Sequence, residues 1–219
     1  MNRRLTAIAD MVKPQSILAD IGSDHAHLCI FLIQTNRIVK AYACDIAQGP
    51  LQAAFMEISR AHLQSRIFPI LSDGFAHVPS DVDSAVIAGM GFRTAIHILE
   101  AAKERLSALR QIIVQVNDDP VSMRKWLSDH HFMITDERYV SDRGKDYILL
   151  AFHGPKAICY TYAECVLGPL LMKKNDPEYR AYCGRRKSRI EHILQMRRDE
   201  KEDTKSLKQE LNILTSFLQ

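Results

Sequence analysis

Five short stretches of this chain combine acids, glycines and amides in ways that suit ligand chemistry. The first is Asp20-Ile21-Gly22-Ser23-Asp24-His25, which follows the apolar run Ile17-Leu18-Ala19. Gly22 has no Cβ and lets backbone approach a ligand closely. Ser23 and Asp24 are good N-caps for the apolar helical pattern through Leu28, Ile30, Phe31 and Leu32. The second stretch, Asp45-Ile46, ends another apolar run and puts an acid roughly 20 residues past the first turn, where dinucleotide folds place their ribose-binding carboxylate. Ser72-Asp73-Gly74, Gly89-Met90-Gly91 and the pair Gln115 and Asn117 close three further apolar runs.

Other chemistries find less support. The first turn is not GxGxxG, which disfavours a nicotinamide-dependent dehydrogenase. No Ser/His/Asp or Cys/His apparatus is apparent. His25 and His27, with Asp24 nearby, invite a metal, but no other Cys/His/acid cluster has ligand spacing, so no metal is expected. Trp126 falls on a helical apolar stripe with Met123 and Leu127 and reads as core rather than as a base-stacking platform.

The elements that must position these residues follow from periodicity. Strands are expected from near Ser16, over Ile38–Cys44, Ile67–Leu71, Ala85–Ala88 and Gln111–Val116, alternating with helices. The helices are expected from about Asp24 to Thr35, from Gly49-Pro50 with Leu51, Ala54, Phe55, Ile58 and His62 on one stripe, from about Thr94, and from Pro120, which suits a first turn. Phe132–Val140 and Tyr147–Phe152 read as a closing hairpin around Asp142-Arg143-Gly144. Such alternation argues for a Rossmann-like α/β sheet with helices on both faces. Right-handed crossovers then put every strand-to-helix turn at one edge, so the five stretches converge on one crevice.

The composition shifts after Pro155, which divides the chain into residues 1–154 and a helical part, 155–219. There Leu207, Leu211, Leu214 and Leu218 recur at coiled-coil-like spacing, with Ile190, Ile193 and Leu194 as facing partners across a polar turn from Arg197 to Asp203. The expected helical hairpin carries Arg180, Arg185, Arg186, Lys187, Arg189, Arg197 and Arg198. Such a basic face is either merely solvated or binds a phosphate backbone. The seam is open to closure within one chain or between two, a monomer or a homodimer.

The 219 residues carry a net charge of +3, with 47% apolar and 25% charged residues, the balance of a soluble globular protein. The five cysteines form no CxxC pair and mostly sit in apolar runs, as buried reduced thiols do. The opening segment, with Leu5, Ile8, Met11 and Val12 at helical spacing, reads as an amphipathic helix rather than a signal peptide. No apolar run approaches a membrane span, so a cytoplasmic protein is expected.

Taken together, Leu18-Ala19-Asp20-Ile21-Gly22-Ser23-Asp24-His25-Ala26, Gly49-Pro50, Ile87-Ala88-Gly89-Met90-Gly91, Gln115 with Asn117, Tyr147-Ile148, Gly168-Pro169 and the helical tail resemble the TrmK family. These are bacterial S-adenosylmethionine-dependent methyltransferases acting on N1 of adenine-22 in tRNA. The chain departs from the family's usual pattern at His27-Leu28-Cys29, Asp45, Phe92 and Val116. The resemblance implies S-adenosylmethionine as cofactor, S-adenosylhomocysteine as product and tRNA as partner, without metal or membrane. It places Asp20, Gly22, Ser23, Asp24 and His25 around the methionine part, Asp45 and Ile46 at the ribose and adenine, and Asp73 and Gly74 at the adenine edge. Gly89, Met90 and Gly91 would lie between cofactor and target base. Asp24 and Asn117 become the candidate catalytic residues; Gln115, Asn117, Arg185, Arg186 and Arg189 become the candidate tRNA contacts. Two alternatives stay open: the same fold with another acceptor, and an RNA-binding paralogue that keeps the pocket without turnover.

Overall fold

The computed structural model describes residues 1–156, 158–196 and 203–219. Seven strands form one sheet among these residues: β1 (Ser16–Ile21), β2 (Ile38–Asp45), β3 (Ile67–Leu71), β4 (Ser84–Met90), β5 (Gln111–Val116), β6 (Phe132–Asp142) and β7 (Lys145–Pro155). Their order is β3-β2-β1-β4-β5-β7-β6, with β1 to β5 parallel and β7 inserted antiparallel between β5 and β6. The helices are α1 (Arg3–Met11), α2 (His27–Gln34), α3 (Gln48–Arg60), α4 (Phe92–Ala101), α5 (Lys103–Leu106), α6 (Pro120–Asp129), α7 (Tyr162–Leu167), α8 (Leu171–Lys174), α9 (Pro177–Met196) and α10 (Asp203–Leu218).

Side-chain alternation along the strands explains the layering, since successive residues point to opposite faces. Leu18, Ala41, Ala43, Val86 and Ile113 pack into a cluster with Ile8 of α1, Leu32 of α2 and Ile58 of α3. Ala19, Tyr42, Cys44, Ile87 and Val114 pack on the other face, with Leu99 of α4, Leu127 of α6 and the C-terminal helices. Helices therefore cover both faces, as the near-continuous apolar strands require.

Three local expectations need correction. Neither Ser23 nor Asp24 caps α2. The helix starts at His27, its N-cap is Ala26 in the left-handed region (φ 57°), and no side chain caps it. The cause is the preceding turn: the N–H groups of Gly22 and Ser23 both donate to the Cys44 carbonyl, which holds the chain against β2 before the helix can begin. Phe55 is 58% exposed and is not core, while His62 lies beyond the end of α3 at φ 56°. Helix α4 starts at Phe92 rather than near Thr94, because the Asp118 carboxylate accepts the Phe92 N–H at 2.6 Å.

The C-terminal helices dock through a buried ion pair. Arg124 of α6 donates to Glu137 of β6 at 2.7 Å, with both side chains essentially inaccessible. Arg124 also donates to the carbonyl of Cys165, while Glu137 accepts the N–H groups of Leu170 and Leu171. Gly168, at φ +79°, passes directly over the pair, and a Cβ there would collide with both charged groups. Tyr179, Cys183, Ile190 and Leu214 share one apolar cluster with Leu150 and Phe152 of β7, so the helical part is continuous with the sheet's core.

Candidate functional site

The carboxyl ends of β1 to β5 line up along one edge. Register pairs Ile21 with Cys44, Asp45 with Leu71, Ile21 with Ile87, and Met90 with Val116. The Ser72 N–H donates to the Asp45 carbonyl and the Asn117 N–H to the Met90 carbonyl, which ties the turns together. All five stretches expected to converge do so: Asp20 to His25, Asp45-Ile46, Asp73-Gly74, Gly89 to Gly91, and Gln115 with Asn117. This is the crevice where open α/β sheets take ligands.

Backbone shape at this edge depends on glycine. Gly22 (φ +76°), Gly74 (φ +52°) and Gly89 (φ +80°) occupy the left-handed region, which L side chains seldom adopt. A Cβ on Gly22 would also overlap the Met90 methyl group. Asp24 (φ 53°) and Ala26 (φ 57°) take the same region without that freedom, a concentration of strain in the first turn.

Polar groups are arranged in two layers. Asp20 is buried behind the turn, where its carboxylate accepts from Ser23 Oγ at 2.9 Å and from Cys29 Sγ at 3.7 Å. Burial raises its pKa to about 6, against the lowering effect of the Ser23 and Cys29 hydrogen bonds. The same apolar surroundings push the neighbouring Cys44 thiol up to about 12. In front, Asp24 and Asp73 are exposed and Asp45 is partly so, with one Asp45 oxygen accepting the Ala47 N–H at 3.0 Å. Ile46 is 68% exposed, an apolar side chain at the crevice beside an acid. His25 stacks on His27, and its Nε2 lies 3.5 Å from Asp24 Oδ1. No cluster of three His, Cys, Asp or Glu side chains suited to a metal occurs among the described residues.

On the β4–β5 side, two amides form a chain. Gln115 Oε1 accepts the Gly89 N–H at 3.1 Å, Gln115 Nε2 donates to Asn117 Oδ1 at 3.0 Å, and Asn117 Nδ2 donates to the Gly89 carbonyl at 2.7 Å. Residue types and spacing did not point to the next member, Arg4 of α1, whose guanidinium donates to Gln115 Oε1 at 2.6 Å. A signal for it exists: Arg4 shares the helical stripe of Ile8 and Met11, so it is a cation on an apolar face. Asp118 was likewise missed, although it caps α4 beside Gly91.

A cavity of about 610 Å³ opens next to these amides, walled by Arg4, Gly89, Asn117, Tyr147, Tyr182 and Arg189 among others. A second, of about 590 Å³, continues along α9 past Arg185 and Arg189 and shares Asp146, Tyr182 and Arg189 with the first. The basic face of α9 does not act as one surface. Arg186 pairs with Glu210 of α10 and donates to Tyr182, which clamps the two helices together, and its side chain also lines the second cavity. Arg180 donates to the carbonyls of Phe217 and Leu218 at the end of α10, so α9 and α10 run antiparallel. Arg185 donates to Tyr139 and Asp146 at the groove, and Arg189 lines both cavities. Arg197, Arg198 and the expected polar turn lie outside the described residues. The leucine seam packs within the chain, with Leu214 buried and Leu207, Leu211 and Leu218 against the same core.

Comparison with known proteins agrees with this arrangement. Residues 18–216 match the model of the family described as TrmK, tRNA (adenine(22)-N(1))-methyltransferase. A Bacillus subtilis tRNA (adenine(22)-N(1))-methyltransferase is 31% identical over 182 residues, covering 80% of this chain and 76% of the relative. The crystal structure of Streptococcus pneumoniae Sp1610 in complex with S-adenosyl-L-methionine superposes with a TM-score of 0.90 at 28% identity, over 100% of both chains. The structure of M. capricolum TrmK in complex with S-adenosyl-homocysteine does so with a TM-score of 0.87 at 26% identity, over 100% of this chain and 97% of that one. On its sequence, its sheet order and its glycine-bearing crevice, the chain belongs to the TrmK family of tRNA (adenine(22)-N(1))-methyltransferases.

Proposed function

We propose that this chain methylates N1 of adenine-22 in tRNA with S-adenosylmethionine as donor. The observation that carries the reading is the convergence of Gly22, Asp45, Asp73, Gly89 and Asn117 on one sheet edge in a member of this family.

The crevice fits the donor. Asp45 offers a carboxylate suited to a ribose diol, Ile46 an apolar cover for an adenine ring, and Asp73 with Gly74 a polar edge and a close-approaching backbone. Asp20, Gly22, Ser23, Asp24 and His25 form the wall for the methionine part. When bound, S-adenosylmethionine supplies a methyl group on a sulfonium; the N1 lone pair forms the new N–C bond, the C–S pair returns to sulfur, and S-adenosylhomocysteine leaves.

The protein's own task is alignment. Adenine N1 carries its lone pair in the ring plane and needs no general base, which matches a site without a nucleophile–base pair. Holding acceptor and methyl in line supplies most of the acceleration. Asn117, held by the buried Gln115, engages the base edge in place of the direct contact expected of Gln115, and Asp24 faces the positive charge that passes to the ring. Because N1 lies on the Watson–Crick edge, the base must leave its stack, at a cost of roughly a few kcal/mol. The cavity beside Asn117 has room for such a base, and Lys145, Arg185 and Arg189 line the approach for phosphates. Residues 155–219 serve as the tRNA-gripping part, residues 1–154 as the donor-binding part. Packing of the leucine seam within one chain favours a monomer over a homodimer built on that seam. No described helix is long and apolar enough to cross a membrane.

Incubation with tRNA and methyl-labelled donor, followed by mass mapping of the nucleosides, tests the reading. Label at N1 of adenine-22 is expected; label confined to metabolites, or none, overturns it.

A further inference from the structure

We propose that Arg4, on the N-terminal helix, is a positioning residue for the methyl transfer: through Gln115 it sets which end of the Asn117 amide faces the target base. The inference rests on the functional reading above.

An amide side chain has two ends that differ only in their hydrogen bonding, so neighbours decide its orientation. Gln115 is buried and takes two donors on Oε1, the Arg4 guanidinium at 2.6 Å and the Gly89 N–H at 3.1 Å. Its NH2 group must therefore point the other way, to Asn117 Oδ1 at 3.0 Å. That in turn fixes Asn117, whose NH2 donates to the Gly89 carbonyl at 2.7 Å. Asn117 keeps one N–H and one Oδ1 lone pair for the adjoining cavity. An amide oxygen there accepts from the amino group beside N1 of adenine and repels the carbonyl that guanine carries at the same place.

Arg4 is itself held. Asn2 caps α1 by accepting the Leu5 N–H at 2.8 Å, and the Arg4 N–H points to Asp142 at the hairpin tip. The guanidinium lies over the Tyr147 ring, 5.4 Å from its centre. A Cβ on Gly89 would come within 3.0 Å of the Arg4 guanidinium, so the glycine makes room for it. Without Arg4, Gln115 Oε1 keeps only the longer Gly89 N–H bond, and the preference that orients the two amides is weakened.

A double-mutant cycle tests this, because Arg4 and Asn117 act in series. Arg4→Gln is expected to lower kcat for tRNA about 100-fold, the scale of a misplaced reacting group. The tRNA KM and the donor affinity should stay within about twofold, since Arg185 and Arg189, which face the phosphates, and the β1–β3 turns are unchanged. Asn117→Ala should lose a similar factor, and the double variant no more than Asn117→Ala alone. Arg4→Lys, which keeps one donor, should recover to within about tenfold of wild type. Gln115→Glu covers the case in which Arg4→Gln fails to fold. It still accepts from Arg4 and Gly89 but has no donor for Asn117, so it should lose kcat like Arg4→Gln. Losses that multiply in the double variant, a raised tRNA KM with normal kcat, or a fully active Gln115→Glu each overturn the proposal. A wild-type enzyme that leaves adenine N1 unmethylated overturns the functional reading and this inference with it; multiplying losses in an active enzyme overturn only the inference.

Discussion

Gly22 at the end of β1 lies directly against the Met90 side chain at the end of β4, so the two strand ends meet with no room for a Cβ between them. The contact joins the turn read as the donor's methionine wall to the turn read as facing the target base. Gly22→Ala must both adopt φ +76° and displace the Met90 methyl. A stability loss of about 1–2 kcal/mol is expected by thermal melting. Donor affinity by calorimetry should fall at least about tenfold, on the scale of one lost hydrogen bond to a charged group. Adding Met90→Ala should recover part of the stability loss, as it removes the overlap but leaves the backbone strain.

Asp45 carries the ribose assignment. Asp45→Asn removes the charge but keeps the acceptor for the Ala47 N–H, so the turn should survive. Hydrogen bonds to charged groups are worth about 1.5–3 kcal/mol, so donor affinity should drop about 10- to 100-fold with an unchanged melting temperature. An unaltered affinity would move the ribose elsewhere.

The buried Asp20 makes stability depend on pH. Its folded-state pKa, raised to about 6 by burial, lies above the 3.8 of a solvated aspartate, so the folded chain holds a proton that the unfolded chain has released. This contribution is fully present below about pH 4 and is lost as pH rises through 6, with a total of about 3 kcal/mol. Asp20→Asn, which never ionises, should flatten the curve of unfolding free energy between pH 4 and 7. An identical curve in the variant would show that Asp20 is not the group responsible.

Two neighbouring arginines of α9 should behave oppositely. Arg189 lines the groove, so Arg189→Glu should weaken tRNA binding and reduce the salt slope by about 1, with an unchanged melting temperature. Arg186 is paired with Glu210, and Arg186→Ala should lower the melting temperature because it strands that carboxylate. Equal effects of the two on tRNA affinity, at equal stability, would contradict the division.

Glu137→Ala should be among the most damaging substitutions far from the crevice. It leaves Arg124 charged and buried and orphans the N–H groups of Leu170 and Leu171. A loss of about 3–5 kcal/mol is expected by denaturant titration. Replacing both charges together, Arg124→Met with Glu137→Leu, should cost less than Glu137→Ala alone.

Most of the candidate site's placement at one sheet edge was legible because its residues end apolar runs. A strand's carboxyl end is marked by where the β-branched and aliphatic residues stop, and right-handed crossovers then bring every such end to one edge. Asp20, Asp45, Asp73, Gly89 and Asn117 could therefore be grouped from a linear pattern. The antiparallel hairpin was likewise marked by Arg143-Gly144, both at positive φ in the turn.

The alternating strands and helices, the five turns at the sheet edge and the helical tail follow from linear order alone, since each depends on hydrophobic period and on which residues tolerate a tight turn. Which cations are spent internally depends instead on packing between distant elements. Arg4 and Arg3 are neighbours of one type, yet one reaches Gln115 while the other stays exposed; Arg185 and Arg186 both line the second cavity, but one pairs with Asp146 of β7 and the other with Glu210 of α10. The start of α2 was also a tertiary matter, because the Cys44 carbonyl of another strand takes the N–H groups of Gly22 and Ser23 and holds the turn to β2 before the helix begins. A long flexible cation or a turn amide finds its partner across the fold, at separations over which local periodicity carries no information.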